Sequence, residues 1–504
     1  MIVLKMTVCT DSAGTTTDVL FTDGLGWTTK PGDTPASTHV DRGLRAGTFT
    51  REMFAGDRVT GGVRFGSGVI EIDNTDGRLD AAWGTYAVDG RSFSLYWRAT
   101  DDGAAFPAQY TEIVRGFMLR HEMTLTKLVI YMRDSLQDFN KPICPDVYDG
   151  SGGANGTTAM AGRRIPTGYG HVYNAQPVLV DPSIGLYQMG SAYETSTLDQ
   201  LVRDGGAALS NGAAYSSLSD LLTGSSPSSG QARHYAPAGM FRLGSSSVYE
   251  VTADRKFHDT TTSVASKLIE RMALDSGRDA GRIDTIASAG LTAGFYSPGD
   301  DTTFAAAMAR VAGGSGLWFG PNRLDMLQVR QFVDPAGEAS DATIEVDDVI
   351  AIERKTPPGS EVPCHTVRLR WARNWHPLSQ VAGSVSSEDN ILFRREWRES
   401  QSADASILDR HPYADELVRD TYALNLATWG DPSAEATRVL NLFGADRVMY
   451  RVALHLGADT LARDLGDVVT LKHTRFGLSA GQKFAVVAVA LDLGSRTVTL
   501  SLWG

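Results

Sequence analysis

The stretch "LGDVVTLKHTRFGLSAGQKFAVVAVALDLGSRTVTLSLWG", Leu465 to Gly504, decides the fold. Its last segment, "TVTLSLWG", alternates: Val498, Leu500 and Leu502 fall on one face, and Thr497, Thr499 and Ser501 on the other. A period of two is what a half-buried strand needs, because successive side chains point to opposite sides of a sheet. The segments "VMYRVALHL" (Val448 to Leu456), "LGDVVTLKH" (Leu465 to His473) and "KFAVVAVALDL" (Lys483 to Leu493) are rich in β-branched and apolar residues and sit close by, joined by short connections that mostly contain Gly. Short Gly-containing links favour hairpins, so the chain is expected to close in an antiparallel barrel or sandwich.

Working outward, residues 1–150 also read as a β domain. "VIEID" (Val69 to Asp73), "SFSLYWRA" (Ser92 to Ala99) and "KLVIYMRD" (Lys127 to Asp134) are strand candidates. In "DNTDGRLD" (Asp73 to Asp80), Asp76-Gly77 supplies residues tolerant of positive φ for a tight turn. Residues 151–255 turn to Gly, Ser, Ala and Asn, as in "DGSGGANGTT" and "TGSSPSSGQA" (Thr223 to Ala232), and are expected to be an irregular segment ordered against partners.

Residues 256–340 read as a small α+β domain. In "TTSVASKLIERMALD" the apolar Val264, Ala265, Leu268, Ile269, Met272 and Ala273 recur at helical spacing opposite Lys267, Glu270 and Arg271. A second helix, "DTTFAAAMARVA", buries Phe304, Met308 and Val311 and ends at Gly313-Gly314; "GLWFG" (Gly316 to Gly320) and "LDMLQVRQF" (Leu324 to Phe332) then suit a hairpin.

Residues 341–504 form the C-terminal domain. After "KTPPGSEVP" come the strand "HTVRLRWA" and an expected helix near "PYADELVRDTYALNLAT" (Pro412 to Thr428). Another helix opens with Asp431 as N-cap and Pro432 at its first position, and closes at Gly444. The fold class is thus mainly β with α+β insertions, multidomain, with sandwich or barrel modules at both ends. A chain of 504 residues also exceeds one ordinary core, at roughly 100 to 200 residues per domain.

Composition narrows the function. With 42% hydrophobic and 21% charged residues the chain can build cores. Its net charge of -12 disfavours a phosphate- or lipid-binding surface, which draws on clustered Lys and Arg, so no nucleic-acid specificity is expected. The apolar run "FAVVAVAL" (Phe484 to Leu491) is far too short to span a bilayer, and "MIVLKMTVCT" lacks the pattern of a secretory signal. Synthesis in the cytoplasm without export follows as an expectation. Cys9, Cys144 and Cys364 are widely spaced with no CxxC, which suits three buried free thiols better than a disulfide framework or zinc site.

Motifs for chemistry are incomplete. No Gly-Lys dipeptide occurs, which excludes a P-loop, and no GxGxxG occurs. "GLSAG" (Gly477 to Gly481) matches GxSxG and nominates Ser479, yet a strand follows where a nucleophile elbow needs a helix. "HEMTL" offers His121 and Glu122, but Leu125 stands where the second zinc ligand belongs. Asp73, Asp76 and Asp80 miss the calcium-loop spacing and suit a capped turn. Trp371 with Trp375, and Trp318 with Phe319, suit core packing first, with stacking on sugars or lining an interface as the alternatives. No catalytic, cofactor-binding or metal residue is therefore assigned, and no cofactor is expected.

The C-terminal string with its "LWG" ending resembles the closing domain of hub and tail-tip proteins of long-tailed bacteriophages. "VRLRWARNW" (Val367 to Trp375), the helix before "RVMYRVALHL", and "IEIDNTDGRLD" (Ile70 to Asp80) with Gly90-Arg91 are similar to that family too. The resemblance implies a non-enzymatic baseplate hub subunit of the virion tail. Such subunits form a ring, usually a homotrimer with a hexamer as the variant, between a distal tail or tail tube protein and the tail fibre or tip proteins. Relatives with a peptidoglycan-cleaving domain or an iron-sulfur cluster differ, since three cysteines cannot supply four thiolates. Two alternatives remain: a distal tail protein, usually hexameric, with a carbohydrate-binding module, and a polysaccharide-degrading tail enzyme, which requires a deep acidic cleft.

Overall fold

The computed structural model describes residues 1–45, 47–53, 61–66, 68–100, 103–190, 201–257, 264–357, 359, 362–422 and 432–504. The chain is mainly β, with 40% of the described residues in strand and 18% in helix, arranged in several sheets. At the N-terminal end a nine-stranded sheet runs, in spatial order, Trp27–Thr28, His39–Arg42, Thr16–Thr22, Ile2–Cys9, Ser92–Trp97, Thr111–Met123, Lys127–Arg133, Val69–Asp73 and Leu44–Arg45. The three strands expected there are present. In Lys127–Arg133 the alternation is strict, with Leu128, Ile130 and Met132 buried between half-buried neighbours.

The closing segments form one sheet in the order Ala342–Ile344, Val468–Leu471, Gln482–Asp492, Thr497–Trp503, Met449–His455 and Val349–Lys355. All four expected strands are there and pair antiparallel. Val498, Leu500 and Leu502 are at most 1% exposed, while Thr497, Thr499 and Ser501 are half-buried. The strand Thr48–Glu52 leaves the N-terminal module and pairs antiparallel with Gln482–Asp492. One apolar core therefore runs from Leu4 and Met6 through Phe49 to Leu500 and Trp503.

Between these ends lie two five-stranded sheets. One centres on Thr167–Ala175 and Val251–Phe257; the other holds Val178–Asp181, Leu186–Gln188, Gln231–Tyr235 and Met240–Leu243. The Gly- and Ser-rich stretch thus carries these strands as well as loops. The helices Ala265–Asp275 and Phe304–Gly314 bury the apolar faces expected of them and share a core with the hairpin Leu317–Pro321 and Leu327–Gln331. The second helix is capped by Thr303, whose hydroxyl accepts from the Ala306 amide at 3.3 Å.

Two expectations are corrected. The residues Asp415–Asp420 form a strand, parallel to Cys364–Trp371, where a helix was expected, and residues 423–428 of that reading lie outside those described. "DELVRD" has good helix formers, but its backbone completes a three-stranded sheet and its charges pair across it, Arg368 with Glu416 at 2.8 Å and Arg370 with Asp420 at 2.5 Å. Tertiary pairing overrides propensity here. The helix Ser433–Phe443 has Pro432 at its N-cap and not at its first position, and Gly444 at its C-cap; Asp431 lies outside the described residues.

Candidate functional site

A cleft of about 710 Å³ opens where loops of the middle region meet the segment that follows the strand Cys364–Trp371. Its walls combine aromatic rings, from Tyr187, Tyr249, Tyr296 and Trp375, with cations from Arg163, Arg310 and Arg373. Carboxylates from Glu250 and Asp300 and the imidazole of His376 alternate with them.

Local structure fixes the rim. Asn174, next to last in the strand Thr167–Ala175, has φ +50° and is fully buried. Its side-chain amide donates to Asn374 Oδ1 at 2.8 Å and to the His376 carbonyl at 2.9 Å. Asn374 in turn donates to the Phe393 carbonyl at 2.8 Å and accepts from the His376 amide at 3.1 Å. A left-handed conformation at a non-glycine residue persists only where its surroundings over-determine it, and this buried amide pair does so. The result is a rigid mount for Trp375 and His376, which flank Asn374 or follow within two positions.

Trp375 meets Phe295 and Tyr296 edge-on, with centroids 5.5 Å and 6.0 Å away, and the Arg373 guanidinium lies 4.2 Å over its ring. Arg373 also pairs with Glu396 at 3.2 Å. Glu250 accepts from the Ser379 amide at 3.3 Å and stands 3.5 Å from His376 Nε2. Burial alone would raise the Asp300 carboxyl, but bonds from the Ser297 hydroxyl at 2.7 Å and the Thr302 amide at 3.1 Å, with Arg310 nearby, hold it below its usual value. Burial pushes the Tyr296 phenol up, so it stays neutral and donates to the Gln176 carbonyl at 3.1 Å. The cleft thus sets guanidinium groups and carboxylate acceptors beside aromatic rings, of which Tyr296 is buried and Trp375 lies under Arg373.

The residues that the sequence motifs nominated lie elsewhere and apart. Ser479 sits in an exposed turn between the strands Val468–Leu471 and Gln482–Asp492. His121 Nε2 donates to the Trp83 carbonyl at 2.9 Å, and the imidazole packs edge-on to the Trp83 ring; Glu122 accepts from the Tyr131 hydroxyl at 2.9 Å. Asp73, Asp76 and Asp80 belong to a turn, with Gly77 at φ +70°. Asp73 accepts from the Thr75 amide at 2.9 Å, Asp76 from the Arg78 amide at 3.2 Å, and Asp80 from the buried Asn74 at 2.7 Å. Among the described residues, no group of three or more His, Cys, Asp or Glu is arranged to hold a metal ion.

Trp318, Phe319 and Trp371 are buried in cores, and Cys9, Cys144 and Cys364 are buried free thiols. Only Trp375 of the singled-out aromatics reaches the cleft. The cations and Asn174 carried no sequence signal, because they come from segments far apart in the chain. Among the described residues, no helix is long and apolar enough to cross a membrane.

No family model matches the sequence, and no curated protein does. Solved structures similar to it include the 43 kDa tail protein of prophage MuSo2 from Shewanella oneidensis, at 10% identity and TM-score 0.38, covering 99% of this chain and 95% of that one. A tail protein from Neisseria meningitidis is 10% identical with TM-score 0.40, covering 99% of this chain and 96% of that one. The prophage tail protein gp18 from Listeria monocytogenes is 9% identical with TM-score 0.41, covering 100% of this chain and 94% of that one.

Proposed function

We propose that this chain is a non-enzymatic structural subunit of a bacteriophage tail, a baseplate hub component that assembles with copies of itself into a ring, a homotrimer in the simplest case, between the tail tube and the fibres or tip. Beside the sequence likeness in Leu465 to Gly504, the observation that carries the reading is the open edge of the closing sheet. Val349–Lys355 pairs with Met449–His455 on one side and, among the described residues, with no strand on the other. Its side chains are exposed or half-buried throughout, Ile350 is 46% exposed, and Val346, just before it, is 40% exposed. Unpaired backbone donors and acceptors flanked by apolar side chains form a template for a strand from another chain. Ala342–Ile344, at the other end of the strand order, precedes Val349–Lys355 by only four residues, so the sheet curls and this one edge is the surface offered. Contacts from such an edge to a different surface of the next copy are head-to-tail, and they close into a ring when the rotation permits.

The experiment is the mass of the purified assembly by light scattering, for the wild type and for Ile350→Asp. The expected result is a closed oligomer for the wild type, with an interface of roughly 2,000 Å² or more, and monomer for the variant. A wild type that stays monomeric at high micromolar concentration overturns the ring reading, and a mass of six subunits moves the assignment to the distal tail protein.

A further inference from the structure

We propose that the surface docked on the open edge Val349–Lys355 is the edge strand Asp415–Asp420 of a second copy, added antiparallel so that the basic end of the first strand meets the acidic start of the other. The inference rests on the assembly proposed above and names the second of the two surfaces that a head-to-tail contact needs.

The argument starts from the charge of the edge. On a chain of net charge -12, Arg354, Lys355 and Arg475 are exposed together around one aromatic ring. Arg354 stands opposite Tyr450 in the sheet, the Phe476 ring packs 5.7 Å from that of Tyr450, and the Arg475 guanidinium lies 5.5 Å over Phe476, which is 43% exposed. Lys355 pairs with its neighbour Glu353 at 3.1 Å, and Arg354 makes no side-chain hydrogen bond or ion pair among the described residues. Main-chain bonds give an edge its affinity for an added strand, while the side chains select which strand it takes. Unlike charges placed opposite each other favour a pairing and like charges oppose it. The edge therefore selects a strand that is acidic where it is basic and apolar beside that.

The chain itself carries such a strand. Asp415–Asp420 pairs with Cys364–Trp371 on one side and, among the described residues, with no strand on the other. It opens on exposed Asp415 and Glu416 and carries Val418, 48% exposed. The other described edge strands of four or more residues fit less well. Gly294–Ser297 and Leu317–Pro321 are buried throughout, and Leu327–Gln331 is buried at its first three positions. Arg398–Ala403 has Ala403 as its one apolar residue, and the single carboxylate of Val178–Asp181 already accepts from the Ser183 amide and hydroxyl. With Ile352 opposite Val418, antiparallel pairing brings Arg354 to Glu416 and Lys355 to Asp415, and sets Glu353 against Leu417 and Ala351 against Arg419. Two unlike pairs and one apolar pair form, and no like-charged pair. Glu416 already holds Arg368 of its own chain at 2.8 Å, but a carboxylate has acceptor sites for a second cation.

The test measures self-association of the full chain by light scattering over a concentration series. Arg354→Glu and Glu416→Arg are each expected to weaken association at least about tenfold with an unchanged melting temperature. The chain carrying both is expected to associate like the wild type, because each contact then holds the same pair with its charges exchanged. A chain carrying Arg354→Cys and Glu416→Cys is expected to give a covalent ladder on oxidation, absent from the wild type, whose Cys9, Cys144 and Cys364 are buried. If a charge variant melts early, the ladder alone decides. An assembling wild type with unaffected charge variants, with no rescue in the double variant, or with no ladder overturns this docking and leaves the assembly standing. A wild type that stays monomeric overturns both.

Discussion

Two buried strands, Thr497–Trp503 near the C-terminus and Val251–Phe257 in the middle region, reach the interior by opposite routes. The first is apolar on the face it buries and leaves its hydroxyls half-buried on the other. The second, "VTADRKF", is buried at all seven positions, although Thr252, Asp254, Arg255 and Lys256 are polar. Asp254 receives two bonds of 2.6 Å from the Arg203 guanidinium and one of 2.8 Å from the Asn174 amide. Arg255 donates to the Asp254 carbonyl at 2.6 Å and to His234 Nδ1 at 3.2 Å, and lies 5.3 Å over the Phe241 ring. Burial by transfer of apolar surface needs no particular partner, whereas burial of charge holds only while every partner is present.

The largest effect is expected in the apolar strand. Leu500→Asp removes the transfer free energy of a fully buried side chain and strands a carboxylate in the core, so it should cost about 5 kcal/mol and lower the midpoint of chemical denaturation accordingly. A variant that melts like the wild type would show that this strand is not held by its apolar face.

In the polar strand, Arg203→Ala leaves Asp254 charged and half-satisfied, with an expected loss of about 3 to 4 kcal/mol. Pairing Arg203→Met with Asp254→Leu should recover a good part of that loss, because the double replacement removes the uncompensated charge. If the double variant is no better than the single one, the backbone bond from Asn174 to Asp254 matters more than the ion pair.

The third effect is one of pH. Burial, with Arg255 beside it, pushes the His234 imidazole down from 6.5 to about 2, and its bonds suit the neutral ring: Nδ1 accepts from Arg255 and Nε2 donates to Asn211 at 3.1 Å. A pKa lowered on folding stabilises the native state fully above the unfolded value and progressively less as pH falls below it. Between neutral pH and about pH 5 this one group should remove roughly 2 kcal/mol, a slope that His234→Gln should abolish in urea melts at the two pH values. An unchanged slope in the variant would mean that His234 does not carry it.

The smallest effect returns to the apolar strand. Thr499 faces Ala453 and Ala490 on neighbouring strands and is half-buried, so Thr499→Asp should cost under about 1 kcal/mol. A loss equal to that of Leu500→Asp would mean that this face is covered in the assembly.

The same contrast explains what the sequence makes legible. Alternation at Val498, Leu500 and Leu502, and helical spacing at Leu268, Ile269 and Met272, report the hydrophobic effect directly, and both elements appear where expected. "VTADRKF" has no such period, since its partners Arg203, His234 and Asn174 lie on other strands and only the folded chain brings them together. "DELVRD" misled for the same reason: cross-strand pairs with Arg368 and Arg370 outweigh its helix formers. Of the cleft, the sequence picked out Trp375 alone. Asn174 and Asn374, 200 residues apart, carry no local mark of the bond between them.

The strand Thr48–Glu52 gives the molecule an order of events in time. Arg51 forms its ion pair with Asp464, 413 residues further along the chain, and its strand mates with Gln482–Asp492 beyond that. At ribosomal speeds of about 5 to 20 residues per second, the early strand waits tens of seconds for its partner to be made. During that interval Phe49 and Met53, both buried in the finished core, lack the surface they finally cover. The surface of Phe49 and Met53 therefore stays uncovered until residues 482–492 have been made, late in the synthesis of this sequence.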